Sequence, residues 1–369
     1  MADQLTTTWP QVLAWRLRRH LLDPVGEVDV ADIVERLCGI QAQVPSAAAL
    51  AIGVRQQKPV PDAMGRALHD GDLVRTWAMR GTLHLLPPAE AGAYLALVGA
   101  ARPWERGSWQ RTFGMSPDEI VALTDAVVDV LDGRVLTREQ LVDGLADRLG
   151  RPDLTEQLRS GWGAVLKPVA WQGALCHGAA DGTRVTFGRP DQLVPGWGGV
   201  PDLPDAARIV IPAYLRAYGP ATVERFDAWL TRGISKKATL RGWFADLEDL
   251  LATVDVDGAS AFLLAEDVAG LAATSPTTAV RLLPGFDQYV LGPGTAATEI
   301  ISPERRAEVS RTAGWISPVL VVGGRVAGVW EAADGAPQVM PFAEAEPVPP
   351  EALATEVDRL TSVMAALAA

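Results

Sequence analysis

Two glutamines one residue apart, in the stretch Gly39-Ile40-Gln41-Ala42-Gln43-Val44-Pro45, come closest in this 369-residue chain to specifying a chemistry by type and spacing. Gly39 stops the amphipathic helix that precedes them, and Pro45 bars its simple continuation, so the backbone between is irregular or extended. In an extended segment residues two apart line the same side. Gln41 and Gln43 are thereby expected to present two primary amides to one cleft, with Ala42 turned away. An amide is no general base near neutral pH, but it donates and accepts hydrogen bonds and can orient a water molecule. The motif therefore suits a reaction that needs little acid or base. Taken alone, it equally describes two glutamines that cap backbone groups or face solvent.

Other chemistries lack their residues. The four histidines, His20, His69, His84 and His177, include no pair at helical metal spacing. There is no phosphate-cradling glycine loop before a lysine, no nucleophile-elbow serine and no dinucleotide fingerprint. What remains is basic. Arg102-Pro103-Trp104-Glu105-Arg106-Gly107-Ser108-Trp109-Gln110-Arg111 interleaves arginine with tryptophan. Trp109 and Arg111 suit stacking and phosphate contact, and the same pattern fits a linker whose tryptophans pack into a seam. Arg232-Gly233-Ile234-Ser235-Lys236-Lys237-Ala238-Thr239-Leu240-Arg241 holds four cations and no acid, and enters a helix. Lys236, Lys237 and Arg241 at the start of a recognition helix would meet phosphates or a groove; a solvated helix end is the plainer alternative.

The elements that must position these residues recur along the chain. Helical spacing predicts helices over 10–23, 30–38, 46–54 and 61–69, followed by a β-rich stretch, 73–86, with a glycine at its centre. Helices over 117–131, 137–149 and 155–171 precede a second hairpin around Gly178 to Gly182. The most linker-like stretch, 188–204, alternates prolines with glycines. After it come helices over 206–218, 222–230 and 237–247 and a hairpin over 251–264. Three runs of helices closed by a hairpin form an architectural repeat, the outline of tandem winged helices. Beyond Ala265, hairpins are expected at Val280–Leu283 with Tyr289–Leu291, and at Val319–Val322 with Val326–Trp330 around Gly323-Gly324-Arg325. A helix over 350–367 follows.

Composition bounds the partners. A formal charge of −12 and a pI near 4.9 argue against a cationic protein that coats nucleic acid, while leaving room for a local basic groove. Hydrophobic content of 48% against 21% charged is that of a folded chain of two or three domains. The start, Met1-Ala2-Asp3-Gln4, lacks the order of a signal peptide, and no apolar run reaches the length of a membrane span, so a soluble, cytoplasmic protein is expected. Cys38 and Cys176 fit buried thiols rather than a disulfide.

Three blocks together carry a resemblance that covers nearly the whole chain. The Gln-apolar-Gln stretch after two amphipathic helices, the block Arg75-Thr76-Trp77-Ala78-Met79-Arg80-Gly81-Thr82-Leu83-His84, and Leu282-Leu283-Pro284-Gly285-Phe286-Asp287 resemble the winged-helix DNA glycosylases of the AlkZ type. That resemblance implies an α+β, predominantly helical fold: three tandem winged-helix units (1–115, 116–190 and 191–265) in a C shape, with a β-barrel-like carboxy-terminal part (266–369). It implies hydrolysis of the N-glycosidic bond of N7-alkylguanine, bulky adducts and azinomycin-type interstrand crosslinks included, without metal or organic cofactor. Gln41 and Gln43 then fall on the catalytic pair, the partner is double-stranded DNA carrying alkylated or crosslinked guanine, and a monomer suffices. A crosslinked nucleotide cannot swing freely into a tight pocket, so the cleft must be open. The turn Gly323-Gly324-Arg325 is the expected minor-groove probe, a barrel hairpin that touches no nucleic acid being the plainer alternative, and Asp287 is expected to support structure. A non-catalytic winged-helix transcriptional regulator is the alternative from another class, and a winged-helix scaffold for other proteins is a third.

Overall fold

The computed structural model describes residues 5–152, 154–159, 163–345 and 348–368, about half of the chain lying in helices. The opening tetrapeptide lies outside the described residues. Two compact units form, each from separate stretches: unit one from Met1–Met64, Ile211–Trp229 and Phe244–Ala369, unit two from Gly65–Val210 and Leu230–Trp243. Among the described residues no helix is long and apolar enough to cross a membrane.

Unit one is built around its first helix, Trp9–Arg19, which opens with a Thr8–Gln11 capping box and Pro10 in the first turn. Its apolar residues serve two cores. Val12 and Trp15 pack with Val254, Val256, Leu263 and Leu271, while Leu13 and Leu17 join the larger core of the carboxy-terminal sheet. The smaller sheet pairs Thr6–Thr7 in parallel with Leu251–Val256, which pairs antiparallel with Ala259–Leu264. Arg16, a charged residue off the apolar stripe of this helix, is nonetheless 1% exposed. It is held by the Pro220 carbonyl at 2.9 Å and lies 3.7 Å from Glu299. Long-range pairing, invisible to helical periodicity, overrides the outward placement of a charge.

The larger sheet is an antiparallel meander, Val280–Leu283, Val319–Val322, Arg325–Ala333 and Ala336–Pro341 in that order. It is not a closed barrel, which corrects the expectation for 266–369. Four strands are too few to close around a filled interior, and the helix Pro350–Ala368 covers the sheet instead: its Leu360 and Val363 lie in the same core as Leu282 and Trp330. A second correction concerns Tyr289–Leu291, which is not the partner of Val280–Leu283. Asp287 accepts a hydrogen bond from the Tyr289 amide and caps a short helix, Gln288–Leu291, so Val280–Leu283 pairs with Val319–Val322. The two-glycine turn forms as expected, Val322 facing Arg325 with Gly323 and Gly324 both at positive φ.

In unit two the first and second hairpins share one sheet. Val74–Trp77 pairs with Leu83–Leu86 on one side and, through Arg75 opposite His177, with Cys176–His177 on the other; Thr186–Gly188 and Leu136–Thr137 continue the order. Capping boxes Ser116–Glu119 and Thr137–Gln140 start the helices Pro117–Val130 and Arg138–Leu149. The helix expected over 155–171 is broken: Leu154–Arg159 and Leu166–Trp171 are helical, residues 160–162 lie outside the described residues, and Gly163 turns at positive φ against the Trp77 ring. The helix Pro88–Gly99 had no expectation attached. The linker-like stretch is packed: the Gly199 carbonyl would stand 1.6 Å from a Cβ at Gly92, and the Pro195 Cδ 2.4 Å from one at Gly71. Glycines on the receiving elements leave room for a backbone to lie across them.

Candidate active site

The glutamine segment is pinned at both ends within unit one. Helix Val30–Arg36, capped at its start by Asp29, terminates in two left-handed residues, Cys38 and Gly39, and the Gly39 amide donates to the Val34 carbonyl at 2.9 Å. Ile40 and Gln41 are in strand conformation. Pro45 is the first residue of the next helix, Pro45–Gly53, so it opens an element as well as closing the possibility of the earlier one. Buried Ile40 anchors one side of the pair and Val44, packed against the carboxy-terminal core, the other. The Tyr218 hydroxyl donates to the Leu37 carbonyl at 2.6 Å and fixes where the first helix ends.

The two amides stand in different surroundings. Gln41 is 7% exposed and Ala42 3%, whereas Gln43 is exposed. Neither glutamine is without a partner. An enclosed amide exerts its dipole in a low-dielectric setting, where it acts more strongly than in water, while an open one exchanges with solvent. The pair thus combines a fixed dipole with a water-accessible donor and acceptor.

The far end of the glutamine helix is locked by Arg55. Its guanidinium donates to both carboxylate oxygens of Asp287 at 2.7 and 2.8 Å, to the Ala51 carbonyl at 2.7 Å and to the His20 carbonyl at 3.1 Å. Both charged side chains are fully buried. Asp287 thus joins the helix after Gln43 to the strand Val280–Leu283 and caps Gln288–Leu291, a structural role. Gly53 lets the helix Pro350–Ala368 approach, with a hypothetical Cβ only 2.9 Å from Leu367 and 3.0 Å from Val363.

Burial holds three of the four histidines below their ordinary range. Burial, and after it the Arg55 charge, drives His20 well below its usual value, and its Nε2 lies 3.0 Å from the Ala217 carbonyl. Burial, then Arg80, brings His84 down to about 3; burial, then Arg75 and Arg138, does the same to His177. All three are neutral imidazoles at neutral pH. Both cysteines are buried thiols, and burial pushes Cys176 up to about 12.

The expected nucleic-acid residues divide between the units. Gly323, Gly324 and Arg325 belong to unit one with the glutamines, but Gly324 is buried: its carbonyl accepts from the Tyr289 hydroxyl and a Cβ there would meet Leu13 at 2.5 Å. Arg325 alone of the three is exposed, on a groove of about 480 Å³ that Leu13, Thr277 and Glu344 also line. Trp109 and Arg111 lie on the helix Gly107–Phe113 of unit two, where Trp109 packs on Phe113 with ring centroids 4.8 Å apart. Lys236, Lys237 and Arg241 are exposed at the start of Lys237–Ala245. The structure brings these two basic stretches together, since Arg106 donates to the Ile234 carbonyl at 2.6 Å. The sequence offered no sign of that bond, nor of Lys167, a lone cation in an apolar helix that lies beside Arg232.

Comparison with known proteins follows the same lines. The family described as DNA glycosylase AlkZ-like matches residues 34–365. An interstrand DNA cross-link repair glycosylase of Streptomyces sahachiroi is 49% identical over 353 residues, covering 95% of this chain and 95% of the relative. Among solved structures, the Streptomyces sahachiroi DNA glycosylase AlkZ matches with a TM-score of 0.95 at 48% identity, over 98% of each chain.

Proposed function

The chain belongs to the AlkZ-like DNA glycosylase family, and on that premise we propose that it is a monofunctional glycosylase which hydrolyses the N-glycosidic bond of N7-alkylguanine, bulky adducts and azinomycin-type interstrand crosslinks included. The observation that carries this reading is the pinned segment with an enclosed Gln41 and an open Gln43, in a molecule whose three buried histidines are held neutral. N7 alkylation leaves the guanine cationic, so the base departs as a neutral molecule without first being protonated. The C1′–N9 bond breaks, its electron pair goes to the base, and water adds at C1′ and releases its proton to solvent. The Gln41 carbonyl dipole stabilises the positive charge that develops on the sugar, and Gln43 orients the water. An uncharged base is too poor a leaving group for such weak assistance, so normal guanine is spared.

On this reading the helix-and-hairpin runs in 1–115, 116–190 and 191–265 are winged-helix units, and the protein acts as a monomer. Exposed Arg325 is the contact that the turn at Gly323-Gly324 offers to DNA, and Arg325→Ala weakens binding to duplex. The decisive test is single-turnover base release from duplex DNA carrying N7-alkylguanine, with undamaged duplex as control. Gln41→Ala and Gln43→Ala are each expected to slow release by roughly 10²–10³-fold, the effect of removing one preorganised transition-state dipole, with duplex binding kept. Release of base from undamaged duplex, or unchanged rates in both variants, would sink the mechanism. Binding without any release from the intact protein would leave a non-catalytic DNA-binding module.

A further inference from the structure

Four segments of unit two converge on a surface for which the glutamine chemistry has no use. The short turn Pro103–Glu105 is held against the helix Leu166–Trp171 by Trp104 and Trp171, whose ring centroids are 6.1 Å apart. The next residue, Arg106, donates to the Ile234 carbonyl and so fixes the loop that runs from Arg232 to Lys237. From the helix, Lys167 reaches the tight turn at Gly81: a Cβ on that glycine would lie 3.7 Å from the lysine Cδ and 3.8 Å from Nζ. The Trp171 ring touches the same point at 3.7 Å, and its indole N–H is buried without a partner.

Cations dominate this surface, where the one carboxylate of the turn, Glu105, is already paired with Arg102 at 2.8 Å. Residues 106–111 and 232–241 contribute Arg106, Arg111, Arg232, Lys236, Lys237 and Arg241 and no acid, in a chain where acids outnumber lysine and arginine 45 to 33. Several exposed arginines elsewhere in unit two have carboxylate partners, as in Arg148 with Asp129, Arg184 with Asp181 and Arg189 with Asp132 and Asp191. Among the described residues neither those six cations nor Lys167 has such a partner. Lys167 is half-buried, and burial, followed by the charge of Arg232, pulls its ammonium below the usual value. A partly desolvated cation facing another cation is costly until an anion joins them.

We propose that this cation-rich face of unit two binds the phosphodiester backbone of duplex DNA, with Lys167 at its inner end holding one phosphate. Several cations spread over three helices and a loop match a row of charges better than a single small anion, which would need a closed pocket. The backbone is such a row. The choice of DNA as partner rests on the glycosylase reading, whereas the site itself does not depend on how any base is released.

The test is binding of undamaged duplex, followed by fluorescence anisotropy across a range of salt concentrations. Each phosphate contact contributes roughly 0.9 to the slope of log affinity against log salt. Lys167→Ala should flatten the slope by about 0.9 and the triple variant Arg232→Ala/Lys236→Ala/Lys237→Ala by about 2.7, each with weaker binding at low salt. Lys167→Arg should restore the slope, and Arg134→Ala, an exposed cation outside this face, should leave it unchanged. At limiting protein the Lys167 and triple variants should release base more slowly in proportion to their weaker binding, whereas Arg134→Ala should match the parent. The same slope changes in a protein that releases no base would support the surface while overturning the enzymatic reading. Unchanged slope and affinity in both Lys167→Ala and the triple variant would overturn the proposal, as would weaker binding with an unchanged slope.

Discussion

In unit one the arginines of the interior are matched: Arg55 grips Asp287 with both ends of its guanidinium, and Arg16 and Arg225 converge on Glu299. In unit two, Lys167, Arg232, Lys236 and Lys237 pair with no carboxylate among the described residues, and most stand at the surface. Both sets are cationic, yet they face opposite tasks. Burial pushes the Glu299 carboxyl up, and Arg225 and then Arg16 outweigh it and keep it below its ordinary range, so that site is complete without any ligand. The open cations have no such closure. Paired charges hold segments together and unpaired ones await an opposite charge, which sorts the two sets without reference to any relative.

The sharpest way to break that comparison is Asp287→Ala. Removing one partner of a buried ion pair strands the Arg55 charge and should cost about 3–5 kcal/mol, measured by urea unfolding; a loss under about 1 kcal/mol would mean that the pair does not lock unit one. The next effect comes from acid. Unfolded histidines bind protons near 6.5, whereas folded His84 and His177 do so only near 3, so the unfolded state takes up more protons between these values. Stability therefore falls as pH drops from about 6.5 towards 3, by about 1.4 kcal/mol per pH unit for each histidine. Unfolding curves at pH 7, 6 and 5 would show it, and a flat profile would contradict the neutral interior. A smaller change follows from Gly39→Ala, where a side chain is forced to φ +88 at a cost of roughly 1 kcal/mol. Because Gln41 and Gln43 follow directly, base release should slow by more than the loss of folded protein explains. Smallest of all, Lys236→Ala and Arg241→Ala should leave stability within about 0.5 kcal/mol of the parent. A larger loss in calorimetry would place these cations among the structural ones.

The division between legible and hidden follows the range of the interactions. Local chemistry was readable: Gly39 and Pro45 bracket the glutamines as their backbone preferences require, Thr137 and Gln140 mark a helix start by their capping-box spacing, and Gly323-Gly324 makes its turn. Membership of the family was readable from three blocks of residues. The partners of those blocks were not. Nothing in Arg55 or Arg16 announces a carboxylate more than two hundred residues away, and amphipathic spacing sends both to the surface by default. The strand Val280–Leu283 was recognised but given the wrong neighbour, since the Asp287 cap that turns 288–291 into a helix is a three-dimensional event. Glycines at 71 and 92 likewise hid that a proline-glycine stretch would be strapped down across them.

The lock behind the glutamines has a consequence for the order of events during synthesis. Arg55 waits for Asp287, 232 positions later, and the Val54 carbonyl for the Arg359 guanidinium, 305 positions later. Contacts of such separation form slowly, and a chain emerging from the ribosome makes its early segments long before their distant partners. Gln41 and Gln43 are therefore translated well before the residues that hold them in place. An unfinished chain would carry both amides without the framework that aims them, so the chemistry comes under control only when the whole of unit one has been made.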